Sequence, residues 1–232
     1  MKIARIFVPA LFSLVACASS GSSQNSGLTG TGEGPSASDA KDANPDGVAY
    51  PKDNIGTKPR SGSTPGNKIQ NYKFLGYPNG DRSGGLKPIS LADYFDPTGA
   101  RYKLIHIQAS GSWCVYCQAE LETLVPMKAD LDSRKVAWIV SLAEGPATGT
   151  PAKTSDLDEW LAEFKAPYTH VLDPGNKYLG VFYDAAALPW NADINAKTME
   201  ILESGVGART TREDILSEVD GWLDQINNGT IK

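Results

Sequence analysis

The stretch SWCVYC, residues 112–117, lies near the middle of a 232-residue chain and contains two of its three cysteines. It follows the apolar run YKLIHIQ, residues 102–108, and opens a segment with the apolar periodicity of a helix. At a helix start, free N–H groups and the helix dipole lower the pKa of a thiol. A second thiol one turn later can attack a mixed disulfide formed at the first. The pattern therefore predicts a redox pair in which Cys114 is the exposed nucleophile and Cys117 the resolving thiol.

Two thiols at this spacing also occur in structural disulfides and in metal sites, which leaves alternatives open. A disulfide that closes so short a loop removes little chain entropy and is a poor staple. A zinc site would need two further ligands, and the only histidines, His106 and His170, are interpreted as core or edge residues of strands. A copper-binding accessory protein that uses both thiols and His170 is the alternative function, because thiolates suit Cu(I). The preferred interpretation includes no metal and no cofactor.

The chain after residue 68 alternates between strand and helix patterns and has the size of one domain with its own core. Predicted strands cover residues 72–75, 102–108, 136–142 and 168–172, followed by a hairpin of residues 191–194 and 198–203. Predicted helices cover residues 114–131, kinked at Pro126, then 156–164, 177–183 and a final helix opened by the capping box Thr210-x-x-Glu213; residues 89–95 form a turn or short helix. This order predicts an α/β fold with a partly antiparallel sheet.

Two segments resemble those of the thioredoxin-fold oxidoreductases: WCVYC, residues 113–117, and ALPWNADINAKTMEIL, residues 187–202. The order of predicted elements from residue 104 to residue 226 also fits that fold. The resemblance implies a thioredoxin-like three-layer sandwich with a central mixed sheet. It also implies that Pro189 is the family's cis-proline, which lies against the dithiol and leaves a backbone edge for the partner chain.

The second segment is similar in particular to the hairpin of the membrane-anchored TlpA/ResA-like (redoxin) group. In that group an acid follows the dithiol in the pattern C-x-x-C-x-x-E, and Glu120 matches its position. Glu120 is therefore predicted to be an active-site acid, with a solvated helical carboxylate as the alternative. One departure is Gln108, which stands six residues before Cys114, where thioredoxins have a buried acid. A glutamine cannot accept a proton as a carboxylate does.

The resemblance further implies that the partners are protein thiols and disulfides and that the activity reduces such disulfides. It does not identify the redox partner. Trp113, Leu188 and Trp190 flank the two motifs and are predicted to bind the partner chain, with simple packing as the alternative for the tryptophans. The net charge is −5 and no basic block is present, which argues against nucleic acid as a partner.

The first 17 residues, MKIARIFVPALFSLVAC, resemble a bacterial lipoprotein signal peptide. A basic start precedes an apolar run that is too short to span a bilayer, and the run ends at Cys17. The resemblance implies that residues 1–16 are removed and that lipid on Cys17 anchors the chain to a membrane, with an ordinary signal peptide as the alternative. The same resemblance predicts an extracytoplasmic location, facing the periplasm or at the outer membrane. Ala18, rather than an aspartate, follows the cysteine, which resembles the signal for sorting to the outer membrane.

Residues 17–68 are predicted to form a low-complexity tether that leads to the thioredoxin-like domain of residues 69–232. Gly, Ser, Pro, Asp and Asn dominate this segment, so it has few large apolar side chains to bury. Five of its residues follow the spacing of a calcium loop: Asp42, Asn44, Asp46, Gly47 and Asp53. The final position carries Asp instead of Glu and no flanking helices are predicted, so a solvated turn is the preferred interpretation.

Overall fold

A computed structural model describes residues 34–184 and 187–231. The predicted signal peptide, the lipid attachment at Cys17 and the first part of the predicted tether lie outside the described residues and stay predictions. Within the described ranges, no helix has the length and apolar character needed to cross a membrane.

The described residues form seven strands and four α-helices. The strands are β1 (Lys73–Tyr77), β2 (Lys87–Ser90), β3 (Leu104–Gly111), β4 (Val136–Glu144), β5 (Thr169–Leu172), β6 (Trp190–Asn195) and β7 (Ile201–Val206). The helices are α1 (Val115–Leu124), α2 (Lys128–Ser133), α3 (Thr154–Phe164) and α4 (Arg212–Asn227). Their order along the chain is β1-β2-β3-α1-α2-β4-α3-β5-β6-β7-α4. The segment of residues 89–95 contributes the end of β2 and a 3₁₀ turn, Leu91–Tyr94, and the predicted helix at 177–183 is reduced to a 3₁₀ turn, Leu179–Val181.

All seven strands join one sheet in the order β2-β1-β5-β4-β3-β6-β7. The central strands β3, β4 and β5 run parallel, and the strands on either side, β6, β7, β1 and β2, pair antiparallel with their neighbours. The predicted α/β fold with a central mixed sheet is confirmed. β3 and β4 are buried along their whole lengths, as expected for central strands that are covered on both faces. The polar residues of β3 therefore lie in the interior.

The helix that follows the dithiol is shorter than predicted. α1 ends at Leu124, a 3₁₀ turn covers Val125–Met127, and α2 continues to Ser133. Pro126 lies in this turn, where its missing N–H and its ring prevent the regular helical hydrogen bond. The predicted kink is thus a break between two helices.

The N-terminal cap of α4 differs by one residue from the predicted capping box. Thr211, not Thr210, precedes the helix, and its hydroxyl accepts a hydrogen bond from the backbone N–H of Asp214. Thr210 instead accepts a hydrogen bond on its carbonyl oxygen from Thr123, which fastens this loop to α1.

Residues 34–68 pack against the domain, so the prediction of a tether that continues to residue 68 is wrong. Tyr50 is only 4% exposed, and its hydroxyl donates to the carbonyl oxygen of Ile69 at 2.7 Å. Arg60 makes a largely buried ion pair with Glu200, in which one guanidinium nitrogen lies 2.7 Å from both carboxylate oxygens. The average composition of the segment hides these few anchoring side chains, which supply burial that the glycines and serines cannot.

The segment with calcium-loop spacing forms a turn that is held by Asn44. The Asn44 side-chain oxygen accepts from the N–H groups of Asp46 and Val48, and its amide nitrogen donates to the carbonyl oxygen of Phe95 at 3.0 Å. The three carboxylates of the pattern are each paired with a cation: Asp42 with Lys73, Asp46 with Arg101 and Asp53 with Lys68. These pairings favour the turn interpretation over a calcium site.

Candidate active site

The dithiol lies in the short connection between β3 and α1. Cys114 is the N-cap residue of α1, and its sulfur accepts a hydrogen bond from the backbone N–H of Cys117 at 3.1 Å. The two residues form a disulfide, with their Cα atoms 5.3 Å apart. The predicted position of Cys114 at a helix start is therefore confirmed.

The two sulfur-bearing residues are hidden, whereas the two residues between them are the most exposed part of the site. Cys114 is 1% exposed and Cys117 is fully buried, while Val115 and Tyr116 are 65% and 66% exposed. The expectation of an exposed Cys114 is thus wrong for the disulfide state. The chain is closely packed just before the dithiol, because a Cβ at Gly111 would lie 3.2 Å from Leu188 Cδ1 and 2.9 Å from the Trp113 indole nitrogen.

The Leu188–Pro189 peptide bond is cis. Pro189 lies between this bond and β6, and its carbonyl oxygen accepts from the N–H of Gly207 at 3.0 Å. An open groove of about 380 Å³ runs beside the dithiol and has an uncharged lining: Tyr116, Leu188, Pro189, Val206, Gly207, Ala208 and Thr210. The structure therefore brings Leu188 and Pro189 to the same surface as the exposed pair of the C-x-x-C segment.

The two predicted partner-binding tryptophans have different positions. Trp190 is 1% exposed and stacks on the rings of Phe182 and Tyr183, so it belongs to the core and its predicted contact with a partner is wrong. Trp113 is half-buried, and its indole N–H donates to the Glu144 carboxylate at 2.7 Å. Partner binding by Trp113 stays a prediction.

Glu120 is fully buried behind the dithiol, which excludes the alternative of a solvated helical carboxylate. Its carboxylate accepts from the Gln108 amide at 3.0 Å, from the Asn191 amide at 3.1 Å and from the backbone N–H of Arg209 at 3.1 Å. Burial raises the pKa of Glu120, and the charge of His106 and these hydrogen bonds offset part of that rise.

Gln108 lies next to this carboxylate. Its amide nitrogen donates to Glu120 at 3.0 Å and lies 3.4 Å from the carbonyl oxygen of Cys117. The departure predicted at Gln108 is thus a neutral amide in β3, and α1 supplies the carboxylate next to it. The departure at Gln108 and the match at Glu120 are two parts of one arrangement.

Three further polar residues behind Glu120 were not predicted to join the site: His106, Asn191 and Asp193. Nδ1 of His106 lies 2.8 Å from Asp193 Oδ1, and Nε2 lies 3.0 Å from Asn191 Oδ1. The ring also stacks on Trp138, with 3.7 Å between the ring centres. The sequence does contain a signal for these residues, because polar side chains alternate with apolar ones in HIQ, residues 106–108, and in NAD, residues 191–193.

The charges of this buried group influence one another. Burial lowers the pKa of His106, but the carboxylate of Asp193 outweighs it and raises the pKa above its usual value. Burial raises the pKa of Asp193, and His106 in turn brings it below its usual value. Arg209 forms an ion pair with Glu218 of α4, next to Asp193. These buried polar side chains therefore extend from Glu120 on α1 to Glu218 on α4.

The second histidine is not part of the site. His170 lies on β5, which is separated from β3 by β4, and its Nδ1 donates to the carbonyl oxygen of Tyr168 at 2.8 Å. Burial lowers the pKa of His170 to about 4. In the described ranges, no group of three or more His, Cys, Asp or Glu side chains is arranged to hold a metal ion. The geometry therefore gives no support to a copper site that includes His170.

No protein-family model matches the chain, and no curated protein matches it. Solved structures do. A Chlorobium tepidum protein regarded as the thiol:disulfide interchange protein DsbE is 19% identical, with a TM-score of 0.52 over 68% of this chain and 96% of that one. Enterococcus faecalis AhpC is 13% identical, with a TM-score of 0.54 over 71% and 95% of the two chains. A Bacteroides thetaiotaomicron protein regarded as a protein disulfide isomerase is 17% identical, with a TM-score of 0.51 over 71% and 91%.

These similarities concern the backbone, because the sequence identities are low. They agree with the mixed sheet and its strand order. Together, the strand order and these matches show that the chain has the thioredoxin fold.

Proposed function

We propose that this protein is an extracytoplasmic thiol–disulfide oxidoreductase that reduces disulfides of partner proteins. The observation that carries the proposal is the disulfide between Cys114 and Cys117 at the N-terminus of α1, beside the cis bond of Pro189 and in front of the buried Glu120. A thioredoxin fold alone hosts several activities, so the proposal depends on this site.

Attack by Cys114 is favoured by the start of α1. The N–H of Cys117 points at the Cys114 sulfur, and the helix dipole adds positive potential there. Both stabilise the thiolate relative to the thiol and so favour nucleophilic attack on a partner disulfide. One sulfur of that disulfide then bonds to Cys114, and the other leaves with the electron pair.

Resolution of this mixed disulfide is the task of Cys117. Its sulfur bonds to that of Cys114, and the partner's second sulfur leaves as a thiolate. Because Cys117 is fully buried, its proton needs a buried acceptor. Glu120 lies one helical turn further along α1 and is buried as well, and the Gln108 amide connects its carboxylate with the backbone carbonyl oxygen of Cys117. Glu120 is the proposed base for this step.

The uncharged groove beside the dithiol is the proposed entry for the partner. Val115 and Tyr116 are exposed beside the groove that Leu188 and Pro189 line, so these residues are the proposed first contact. Pro189 has no N–H to close this face into a strand ladder, which leaves room for the backbone of an extended partner segment.

Anchoring through lipid on Cys17 completes the proposal, and it rests on the sequence of residues 1–17 alone. Mass spectrometry of the mature protein tests it. A mature chain that begins at an acylated Cys17 is expected, and one that begins elsewhere with an unmodified cysteine would contradict it.

Reduction of insulin disulfides and trapping of mixed disulfides test the catalytic proposal. Cys117→Ser is expected to accumulate mixed disulfides through Cys114, whereas Cys114→Ser is expected to trap few and to lose turnover. Preferential trapping through Cys117 would reverse the two roles. Stoichiometric Cu(I) capture by a wild-type chain that exchanges no disulfides would favour the copper-binding alternative.

A further inference from the structure

A continuous chain of buried polar side chains connects Glu120 with helix α4. Glu120 is hydrogen-bonded to Asn191, Asn191 to His106, and His106 to Asp193. All four are at most 1% exposed. Polar groups are rarely buried in such numbers unless they hold one another in place.

The hydrogen bonds determine how the Asn191 amide is oriented. Its nitrogen lies 2.9 Å from the carbonyl oxygen of Gly207, which can only accept a hydrogen bond, and 3.1 Å from Glu120 Oε2. The amide oxygen therefore faces His106, so Nε2 of that ring must donate. Nδ1 faces the carboxylate of Asp193, which also accepts. Both ring nitrogens carry protons, and His106 is an imidazolium.

The ionisable side chains of this group carry one more negative charge than positive charge when all are ionised. Three carboxylates, those of Glu120, Asp193 and Glu218, lie with two cations, His106 and Arg209. Since a net charge is costly in the interior, the group favours one additional proton. Glu218 is paired directly with Arg209, and Asp193 with His106, whereas Glu120 has no direct cationic partner among the described residues. Burial raises the pKa of both Glu120 and Glu218, so either of these carboxyl groups can hold the additional proton.

We propose that His106 is a positioning residue for Glu120: as an imidazolium it orients the Asn191 amide toward the carboxylate and supplies the positive charge that allows Glu120 to give up its proton. The inference rests on the proposed function, in which Glu120 receives the Cys117 proton. In that step the Cys117–Cys114 bond forms, the bond from Cys114 to the partner breaks, and the partner's sulfur leaves with the electron pair. A Glu120 that cannot ionise cannot accept the proton.

The groups that act on Glu120 and His106 come from every element packed around them. α1 contributes the two cysteines, β6 contributes Asp193, the loop before α4 contributes Arg209, and α4 contributes Glu218. β4 contributes the uncharged ring of Trp138. Within this group only His106 and Arg209 are cations, so removal of His106 halves the positive charge near Glu120.

The protonation state of His106 can be measured without any substitution that affects the site. The chain has only two histidines, so ¹⁵N NMR of the ring nitrogens in the full chain shows two ring systems. His170→Gln assigns the signals. At pH 7 we expect His106 as an imidazolium, hydrogen-bonded to Asp193 and Asn191, and His170 as a neutral ring. A neutral His106 at pH 7 would overturn the proposal.

The link to Glu120 is tested with His106→Gln and with the matched control His170→Gln, which removes a buried histidine from a strand away from the site. The readouts are the single-turnover rate at which a preformed mixed disulfide is resolved, followed against pH, and the ¹³C carboxyl signal of Glu120 in the oxidised protein. His106→Gln is expected to move both inflections to higher pH and to slow resolution at pH 7 by about tenfold. His170→Gln is expected to leave both unchanged.

A combined variant distinguishes an effect of His106 that passes through Glu120 from a general loss of structure at the site. Glu120→Gln should remove the inflection, and adding His106→Gln to it should slow resolution no further, because His106 acts through Glu120. An equal slowing in both backgrounds, or unshifted inflections in His106→Gln, would overturn the inference. If the wild-type chain resolves no mixed disulfide at all, the proposed function fails, while the ring signals and the Glu120 signal still decide the role of His106.

Discussion

The two histidines of this protein lie two strands apart in one sheet and are equally buried, but their pKa values are shifted in opposite directions. His106 on β3 is 1% exposed and His170 on β5 is fully buried. The first faces a carboxylate and an amide oxygen, so its pKa is raised; the second faces one carbonyl oxygen, so burial lowers its pKa to about 4. The comparison shows that the partner of a buried imidazole, rather than its burial, sets its charge. The charged one is the one that lies behind the dithiol.

The largest expected effect on the free energy of unfolding comes from removing the charge of Asp193, the partner of His106. Asp193→Asn leaves a buried imidazolium without its counter-charge, and such losses cost about 3–5 kcal/mol of unfolding free energy. Urea unfolding at pH 7 measures the loss. The double variant His106→Gln/Asp193→Asn should lose less than the sum of the two single variants. A loss below about 1 kcal/mol for Asp193→Asn would mean that His106 is neutral in the folded protein.

A somewhat smaller effect is expected from His170 in acid. Its pKa falls from 6.5 in the unfolded chain to about 4 in the folded one, so below pH 6.5 the unfolded chain binds a proton that the folded chain does not. Stability is therefore expected to fall by about 3 kcal/mol as the pH drops from 6.5 to 4. His170→Gln should remove this contribution, and an unchanged pH profile would contradict the assignment.

His106 is expected to contribute a slope of opposite sign to the dependence of the unfolding free energy on pH. Its pKa is raised in the folded state, so its contribution is fully present below pH 6.5 and is lost as the pH rises through the folded pKa. His106→Gln should flatten the profile on the alkaline side and leave the acid side unchanged. If both histidine variants flattened the same side, the two rings would not differ as proposed.

The smallest expected effect concerns the ring beneath His106. Trp138 stacks on the imidazole at 3.7 Å between ring centres, and a buried cation over an aromatic face contributes about 2 kcal/mol. Trp138→Phe keeps a smaller aromatic ring, so a loss of about 1 kcal/mol at pH 7 is expected in urea unfolding. The loss should be smaller at a pH where His106 has lost its proton. A pH-independent loss would assign it to packing alone.

The parts of this fold that were predictable from sequence are those with a local pattern. The C-x-x-C segment at a helix start, the proline before a hairpin and the alternation of strands and helices each lie within a short stretch. The packing of residues 34–68 was not predictable, because it depends on single contacts such as Arg60 with Glu200, 140 positions apart. Trp190 was predicted to lie on the partner surface because it follows Pro189, whereas its burial depends on stacking with Phe182 and Tyr183, which follow the 3₁₀ turn Leu179–Val181.

The polar residues of β3 and β6 behind the dithiol could be predicted from the sequence only in part. The alternating polar residues of β3 and β6 are visible in the sequence, and each pair marks one face of a strand. Their contact depends on register: His106 pairs with Asp193 and Gln108 with Asn191 across strands that are more than 80 residues apart. Nothing local specifies that register. The position of Glu120 opposite these residues follows only once α1 packs on the same face.

The packed segment of residues 34–68 has a mechanical consequence. Between Gly34 and β1, the contacts that fasten the chain to the domain include Asn44 bound to Phe95, Tyr50 bound to Ile69, and Arg60 bound to Glu200. These contacts lie in series along the chain. A pulling force applied at Gly34 would therefore act on these contacts first. They would have to break one after another before the force acted on the chain at β1.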